Sequence, residues 1–250
     1  MRGEITSPRE DRALAPTMRG QWAVLFAFLR KPRLPDAHAP AGMSMRIVGR
    51  LFLLDLLAIG AFALLVLSAA ALGFEPPENL NSQLELNAGT IALVVVVAPV
   101  LEEIAFRSWL SGRPGTIFAL LWIGAGLAGL AVFGPGAGPA GPIVALVGLV
   151  LAIMMLIALR GRPPLPVVRR HFAWLFWASA IAFALVHLAN YTEGALAILL
   201  PLLVPQFVLG TLAGYVRVNC GLAWSMALHA AHNGFAVGIA ALALSLEPPA

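Results

Sequence analysis

The chain has 250 residues, of which 60% are hydrophobic and 11% are charged, and its mean hydropathy is +0.88. Soluble domains carry about 25% charged residues, so this composition excludes an ordinary soluble protein and predicts one membrane domain with several spans. The single cysteine, Cys220, excludes an intrachain disulfide and a CxxC metal site. A net charge of +4 arises from arginines placed between apolar segments, so no nucleic-acid partner is expected.

The first 46 residues form a polar, basic tail without a long apolar run. Apolar residues recur at helical spacing from Trp22 to Leu29, beside basic residues, which predicts a short helix at 21–29 on the membrane surface. A disordered tail with chance spacing is the alternative. Residues 47–250 are assigned to the transmembrane domain.

Seven apolar stretches are long enough to cross a bilayer, because a helical span needs ~20 apolar residues. The breaks between them are polar, basic, or rich in Gly and Pro. The sequence therefore predicts an all-α, polytopic membrane helix bundle of about seven transmembrane helices. The predicted spans are residues 51–73, 90–112, 116–133, 142–159, 172–189, 195–216 and 221–244.

The distribution of charge predicts the orientation of these spans. With a cytoplasmic N-terminus, all 16 Lys and Arg residues fall on the cytoplasmic side, whereas the opposite segments hold glutamates and no basic residue. Cytoplasmic loops are enriched in Lys and Arg. We therefore expect the N-terminus to lie in the cytoplasm. The protein is expected to be an integral, multi-pass protein of the lipid bilayer, and in a bacterium this bilayer would be the inner membrane.

Two adjacent glutamates, Glu102 and Glu103, end an apolar run, and Arg107 follows four residues after the second. A charge at membrane depth costs about 2.5–3.5 kcal/mol on insertion scales, so such residues usually have a function. Glu103 and Arg107 are spaced for an ion pair on one helix face. Glu102 points about 100° away, which makes it a candidate general base. The alternative is that both acids reach the cytoplasmic surface, but we expect the helix to continue through Trp109 and Leu110.

Two later spans carry histidines at a similar depth in the membrane. His187 ends the fifth span, and the seventh contains His229, His232 and Asn233. His229 and Asn233 share a helix face because they are four residues apart, whereas His232 is turned by about 60° and is expected to contact a neighbouring helix. A rise of about 1.5 Å per residue places Glu102, His187 and His229 within about 10 Å in depth, so they could form one site.

These residues match three short motifs in chain order. The pattern EExxxR matches Glu102 to Arg107, FxxxH matches Phe183 to His187, and HxxxN matches His229 to Asn233. The chain therefore resembles the CPBP family of intramembrane metalloproteases, which includes type II CAAX prenyl endopeptidases and bacteriocin-processing or immunity proteins. The general layout of that family covers residues 90 to 244.

The resemblance implies an intramembrane endopeptidase that hydrolyses a peptide bond of a membrane-associated peptide or protein. By this resemblance, Glu102 and His187 activate the attacking water, and His229 and Asn233 stabilise the oxyanion. The remaining motif residues, Glu103, Arg107 and Phe183, would order the site from behind these groups.

The resemblance also implies a divalent metal, most commonly zinc. Glu102, His187 and His229 would hold it and leave a coordination position for water. A metal-free mechanism with Glu102 as the base is the alternative. In either case, we expect the four catalytic side chains to line one polar cavity that opens toward the cytoplasm.

One region departs from the family pattern. Two additional spans at about 116–159 separate the first motif from the second, and we expect this pair to cover or reshape the substrate entrance. The substrate, including whether it is prenylated, therefore does not follow from the resemblance.

Two other functions are compatible with the residues. An ion-coupled transporter also places acids and histidines within its spans. A non-catalytic immunity or scaffold protein could keep the motifs for stability.

Three further residues are expected to be structural. Asp55, near the cytoplasmic end of the first span, should reach water or Arg50. Gly210 and Gly214 have the small-xxx-small spacing that lets helices approach closely, and we expect them to pack within the chain. The sequence does not define an oligomeric state.

Overall fold

The computed structural model describes residue 15 and residues 17–134 and 138–246, so residues 1–14 of the predicted tail lie outside the described part. The described residues are mostly helical and contain one isolated β-bridge but no strand. Six helices are long and apolar enough to span a membrane, and one bent pair of helices makes a seventh. These observations confirm the predicted all-α, multi-pass membrane bundle.

The helices are joined mainly by short connections. The first spanning helix starts at Ala41 rather than at residue 51, because hydropathy marks only the apolar part of a helix that continues through Arg46 and Arg50. The main helices are α1 (Met18–Arg30), α2 (Ala41–Ala71), α3 (Ala88–Ser111), α4 (Pro114–Phe133), α5 (Ala140–Ala158), α6 (Phe172–Asn190), α7 (Leu196–Leu202), α8 (Val204–Asn219) and α9 (Leu222–Ser245). Two short helical turns, Leu80–Gln83 and Pro166–Arg170, lie in the loops before α3 and α6.

Helices α7 and α8 form one span with a 44° bend. The bend lies at Leu203, between Pro201 inside α7 and Pro205 in the first turn of α8. A proline cannot donate a backbone hydrogen bond, and its ring clashes with the preceding turn, so the helix breaks between the two prolines.

The segments that carry the basic residues meet at one end of the bundle. Arg217 Nε donates to the carbonyl of Arg107 at 3.0 Å, and Arg169 pairs with Asp36 at 3.0 Å. These contacts join the end of α8, the end of α3 and the loops before α2 and α6. We call this the basic end, and it comprises residues 31–40, 107–113, 160–171 and 217–221.

The segments that carry only acidic residues meet at the opposite end. Asn79 and Tyr191 form an antiparallel bridge, and Gly194 lies against Pro77, where a Cβ would be 3.3 Å from the proline ring. We call this the acidic end, and it comprises residues 72–87 and 190–195.

Helix α1 packs against the basic end of the bundle. Leu25 is buried, and the ring of Phe28 meets those of Phe176 and Tyr215 edge-on, with centroids 5.3 and 5.1 Å apart. Helix α1 includes the predicted segment 21–29, and its apolar face packs against protein.

The loop after α1 is also packed against the basic end. His38 lies beside Gly221, whose positive φ of 109° suits a residue without a Cβ. Burial, and then the nearby guanidinium groups of Arg217 and Arg113, lower the pKa of His38 below its ordinary value. The imidazole therefore stays neutral at pH 7 and adds no charge to this crowded, basic region.

Helices α4 and α5 form a hairpin that packs mainly on itself. A Cβ at Gly148 would lie 2.6 Å from the carbonyl oxygen of Trp122, and one at Gly129 would lie 2.3 Å from Val144. The hairpin joins the bundle next to the last turn of α3. Glycines thus let two apolar helices approach closely inside the membrane.

Gly210 and Gly214 pack α8 against α6, as predicted. A Cβ at Gly210 would lie 3.0 Å from the Phe183 ring, and one at Gly214 would lie 2.9 Å from the Phe176 ring. The close approach matters for the site, because Phe183 is one of the motif residues.

Replacing Gly214 by alanine should destabilise the bundle, since the added methyl group would press on the buried Phe176. Overpacking of this kind costs about 1–3 kcal/mol. Thermal unfolding of the purified protein in detergent measures the loss. The matched control is Gly238→Ala in α9, where nothing lies within 4 Å of the added Cβ. Equal unfolding temperatures for the two variants would contradict tight packing of α6 on α8.

Candidate active site

Pro99 shapes the helix just before the two glutamates. Helix α3 widens into a π-helical stretch at Leu93–Val97. In this geometry the carbonyl of Val94 would need the N–H of Pro99, which does not exist. Instead, the side-chain amide of Asn233 donates to that carbonyl at 2.8 Å. Helices α3 and α9 are thus joined beside Glu102, and the amide of Asn233 has a defined orientation.

Glu103 and Arg107 are fully buried and form the predicted ion pair, with Oε1 and Nη1 2.9 Å apart. Glu103 also accepts hydrogen bonds from Ser225 Oγ and from His229 Nδ1, the latter at 3.0 Å. The guanidinium of Arg107 lies over the ring of Phe183, 3.7 Å from its centroid. This cluster holds α3, α6 and α9 together behind the candidate catalytic residues.

Helix α3 continues beyond Arg107 as a tight final turn, Ser108–Ser111, in which Leu110 is buried. The guanidinium of Arg217 donates hydrogen bonds to the carbonyls of Arg107 and Ser108 in this turn, at 3.0 and 3.1 Å. The helix therefore continues as expected. Glu103 does not reach the surface, so the alternative in which both acids do is wrong.

Glu102 points from a different face of α3 toward two histidines. Its Oε2 atom lies 3.7 Å from His229 Nε2 and 4.0 Å from His187 Nε2. Both distances exceed a hydrogen bond, and Oε2 has no hydrogen-bond partner among the described residues. The carboxylate oxygen is therefore available to accept a proton from a molecule placed among these three groups.

Hydrogen bonds to Nδ1 orient both histidines. His187 Nδ1 lies 2.7 Å from the carbonyl oxygen of Phe183, and His229 Nδ1 lies 3.0 Å from Glu103 Oε1. A carbonyl oxygen can only accept a hydrogen bond, and so can the carboxylate of Glu103 when it is ionised. Each Nδ1 therefore carries the ring hydrogen. The two Nε2 atoms consequently face Glu102.

Glu102, His187, His229 and Asn233 line one cavity of about 360 Å³, so the structure brings together the four residues that the sequence singled out. The cavity extends along the first half of α3 and the second half of α9 to the acidic end. The basic residues gather at the other end of the bundle, whereas the sequence led us to expect the opening on their side. The lining residues on the side of the acidic end include Asn81, Leu84, Leu86, Thr90, Asn190 and Ala240.

The described residues of the α4–α5 hairpin do not line the cavity. None of the lining residues comes from the described part of these two helices. The described residues of the inserted pair therefore do not shape the cavity wall, and a covering role for the pair at the entrance stays a prediction. The pair packs on itself and contacts the bundle near the end of α3, on the far side of Glu102 from the opening.

The environment of Asp55 was not predicted correctly from the sequence. It is fully buried, and its Oδ2 atom accepts a hydrogen bond from His232 Nδ1 at 2.7 Å. The expected contact of Asp55 with water or Arg50 is wrong, because α2 starts at Ala41 and carries Asp55 deep into the bundle. His232 contacts a neighbouring helix as predicted, and it also lines the cavity. The sequence signal that could have revealed this contact is an acid within one apolar span and a histidine within another.

The donor atoms around Glu102 suit zinc in type but not in spacing. Two ligands of one tetrahedral zinc ion, each about 2.0–2.1 Å from it, lie about 3.3 Å apart. The separations of 3.7 and 4.0 Å from Glu102 to the histidines are wider. Among the described residues, no group of three or more His, Cys, Asp or Glu side chains is arranged to hold a metal ion.

The fold and the cavity define a class of protein: a multi-pass membrane bundle with a carboxylate, two imidazoles and an amide gathered in one cavity. Residues 85–235 match the model of the type II CAAX prenyl endopeptidase Rce1-like family, which is more than half of the chain. The chain belongs to this family of CAAX-protease-like intramembrane peptidases, which confirms the predicted CPBP resemblance. No significant similarity to a curated protein or to a solved structure was found.

Replacing Arg107 by leucine should destabilise the protein strongly, because the buried carboxylate of Glu103 would lose its counterion. Removing one partner of a buried pair costs about 3–5 kcal/mol. Thermal unfolding in detergent measures this loss. The double variant Glu103→Leu/Arg107→Leu leaves no unpaired charge and should recover part of it. A single variant as stable as the original protein would contradict the importance of the pair.

Proposed function

We propose that this protein is an intramembrane endopeptidase that cleaves a membrane-associated peptide or protein with a water molecule activated by Glu102. The observation that carries the proposal is the unpaired Oε2 atom of Glu102, which lies 3.7 and 4.0 Å from two imidazole nitrogens in a cavity within the helix bundle. Membership of a peptidase family supports hydrolysis of a peptide bond as the reaction.

Glu102 and His187 suit the activation of water. A water molecule between them would donate one hydrogen to Glu102 Oε2 and the other to His187 Nε2, which has a lone pair because Nδ1 carries the ring hydrogen. Its oxygen would then attack the carbonyl carbon while Glu102 takes the proton. Glu102 would return this proton to the amine nitrogen as the carbon–nitrogen bond breaks.

Asn233 and His229 suit the stabilisation of the oxyanion. One amide hydrogen of Asn233 is used by the carbonyl of Val94, which leaves the second for a ligand in the cavity. His229 Nε2 adds a second donor when it is protonated, and Glu103 holds this ring in place through Nδ1. Donors fixed in advance stabilise developing negative charge without reorganisation.

Glu103, Arg107 and Phe183 would act as positioning residues. Glu103 orients His229, while the carbonyl of Phe183 orients His187 and its ring packs against Arg107. Neither a transporter nor a scaffold requires two histidines held with their Nε2 atoms toward one carboxylate, so the peptidase is the function that the geometry favours.

Glu102→Gln should reduce the rate of peptide cleavage by about 10²–10⁴-fold without loss of fold, since general-base catalysis contributes that much. Mass spectrometry of membrane-anchored peptides incubated with the purified, reconstituted protein measures cleavage. Glu75→Gln, at the acidic end, is the matched control and should cleave normally. Undiminished cleavage by Glu102→Gln would refute the proposed role. A biological effect that survives this substitution would favour the immunity or scaffold alternative, and ion flux that depends on Glu102 would favour a transporter.

Chelation decides whether a divalent metal takes part. The spacing of Glu102, His187 and His229 suits the metal-free base, so cleavage should persist after treatment with EDTA and dialysis. Activity lost on chelation and restored by added zinc would instead assign these three residues as metal ligands. Metal content, measured on the same dialysed protein by mass spectrometry, provides the second readout.

A further inference from the structure

The cavity leads from Glu102 to the acidic end of the bundle. Its walls follow α3 back to Thr90 in the first turn and α9 forward to Ala240 near the last turn. At its far end it is lined by Asn81 in the loop before α3 and by Asn190 at the end of α6. These two loops are held together by the bridge between Asn79 and Tyr191, so they form a rim.

Dense packing closes the other side of the site. The Glu103–Arg107 pair lies directly behind Glu102 and is fully buried. Every residue of α8 from Leu209 to Val218 is buried, although the first turn of the same helix is not. The lining of the cavity includes no described residue of the basic end. A peptide therefore has a route to Glu102 from the acidic end and a wall of packed side chains at the basic end.

The charges of the two ends define how the cavity is oriented in the membrane. The Lys and Arg residues in the described part of the chain fall on the side of the basic end, whereas the acidic-end segments hold four glutamates and no basic residue. An excess of Lys and Arg marks the cytoplasmic side. The opening consequently lies on the non-cytoplasmic side.

We propose that the substrate enters from the non-cytoplasmic side of the membrane. This inference rests on the peptidase function proposed above and names its substrate class: exported peptides, or segments of membrane proteins that face away from the cytoplasm. A prenylated C-terminal tail presented in the cytoplasm would meet the closed, basic end. The acidic rim carries Glu78, Glu85 and Glu193, which favours peptides that are neutral or basic where they pass the rim.

Cysteine labelling tests the position of the opening without requiring activity. The native Cys220 is buried and the only cysteine, so its replacement by alanine provides a cysteine-free background. Single cysteines are then introduced at Asn81 in the rim and at Thr90 and Ala236 in the cavity wall. Pro163→Cys, in an exposed loop of the basic end, is the matched control and leaves every charge in place. The probe is a membrane-impermeant sulfonated maleimide, applied to intact and to lysed bacterial cells.

We expect Asn81→Cys, Thr90→Cys and Ala236→Cys to be labelled in intact cells, and Pro163→Cys to be labelled only after lysis. The reverse pattern would overturn the inference, because it would place the opening in the cytoplasm. Labelling of Asn81→Cys from outside with no labelling of either cavity cysteine, or with labelling of these only after lysis, would overturn it as well. Loss of labelling at Asn81→Cys in every sample would show that the rim is not exposed and would count against it.

The two proposals fail in different experiments. A sided labelling pattern can be obtained from a protein that cleaves nothing, so failure of the cleavage assay leaves the position of the opening intact. Conversely, cleavage that depends on Glu102 together with labelling of the cavity only from the cytoplasm would retain the peptidase and reject the proposed substrate class.

Discussion

The site depends on one buried carboxylate, Glu103, whose charge is compensated inside the membrane. Arg107 supplies the counterion, and Ser225 and His229 donate hydrogen bonds to the same group. An unpaired carboxylate at this depth would be expensive, so all four groups must be present together. They come from α3 and α9, which means that satisfying this charge also determines how the two helices face each other and where Glu102 points.

A second constraint is the shape of α3 before the glutamates. Pro99 leaves the carbonyl of Val94 without a backbone donor, and Asn233 supplies one at 2.8 Å. This hydrogen bond joins α3 to α9 at the wall of the cavity and orients a candidate oxyanion donor. Local irregularity is tolerated at membrane depth here because it faces protein and a cavity instead of lipid.

Burial along the bundle is uneven, and this unevenness gives the site a direction. Helix α8 is buried from Leu209 to Val218, where α1, α2 and α6 pack around it. At the other end, α3 and α9 line the cavity that contains Glu102. The densely packed end supports the charged cluster, and the end that contains the cavity leaves room for a ligand beside Glu102. A site of this kind needs both, since rigid support and access cannot occupy the same face.

Local patterns in the sequence were sufficient for the spans, for the Glu103–Arg107 pair and for the grouping of Glu102 with the histidines, because hydropathy, helical spacing and depth depend on residues close along the chain. The partner of Asp55 and the direction of the cavity were not predictable in this way. Both depend on how distant helices pack: where α2 starts, which face α9 turns toward it, and which end of the bundle is filled. Only the tertiary structure determines these contacts, since many packings satisfy the same apolar spans.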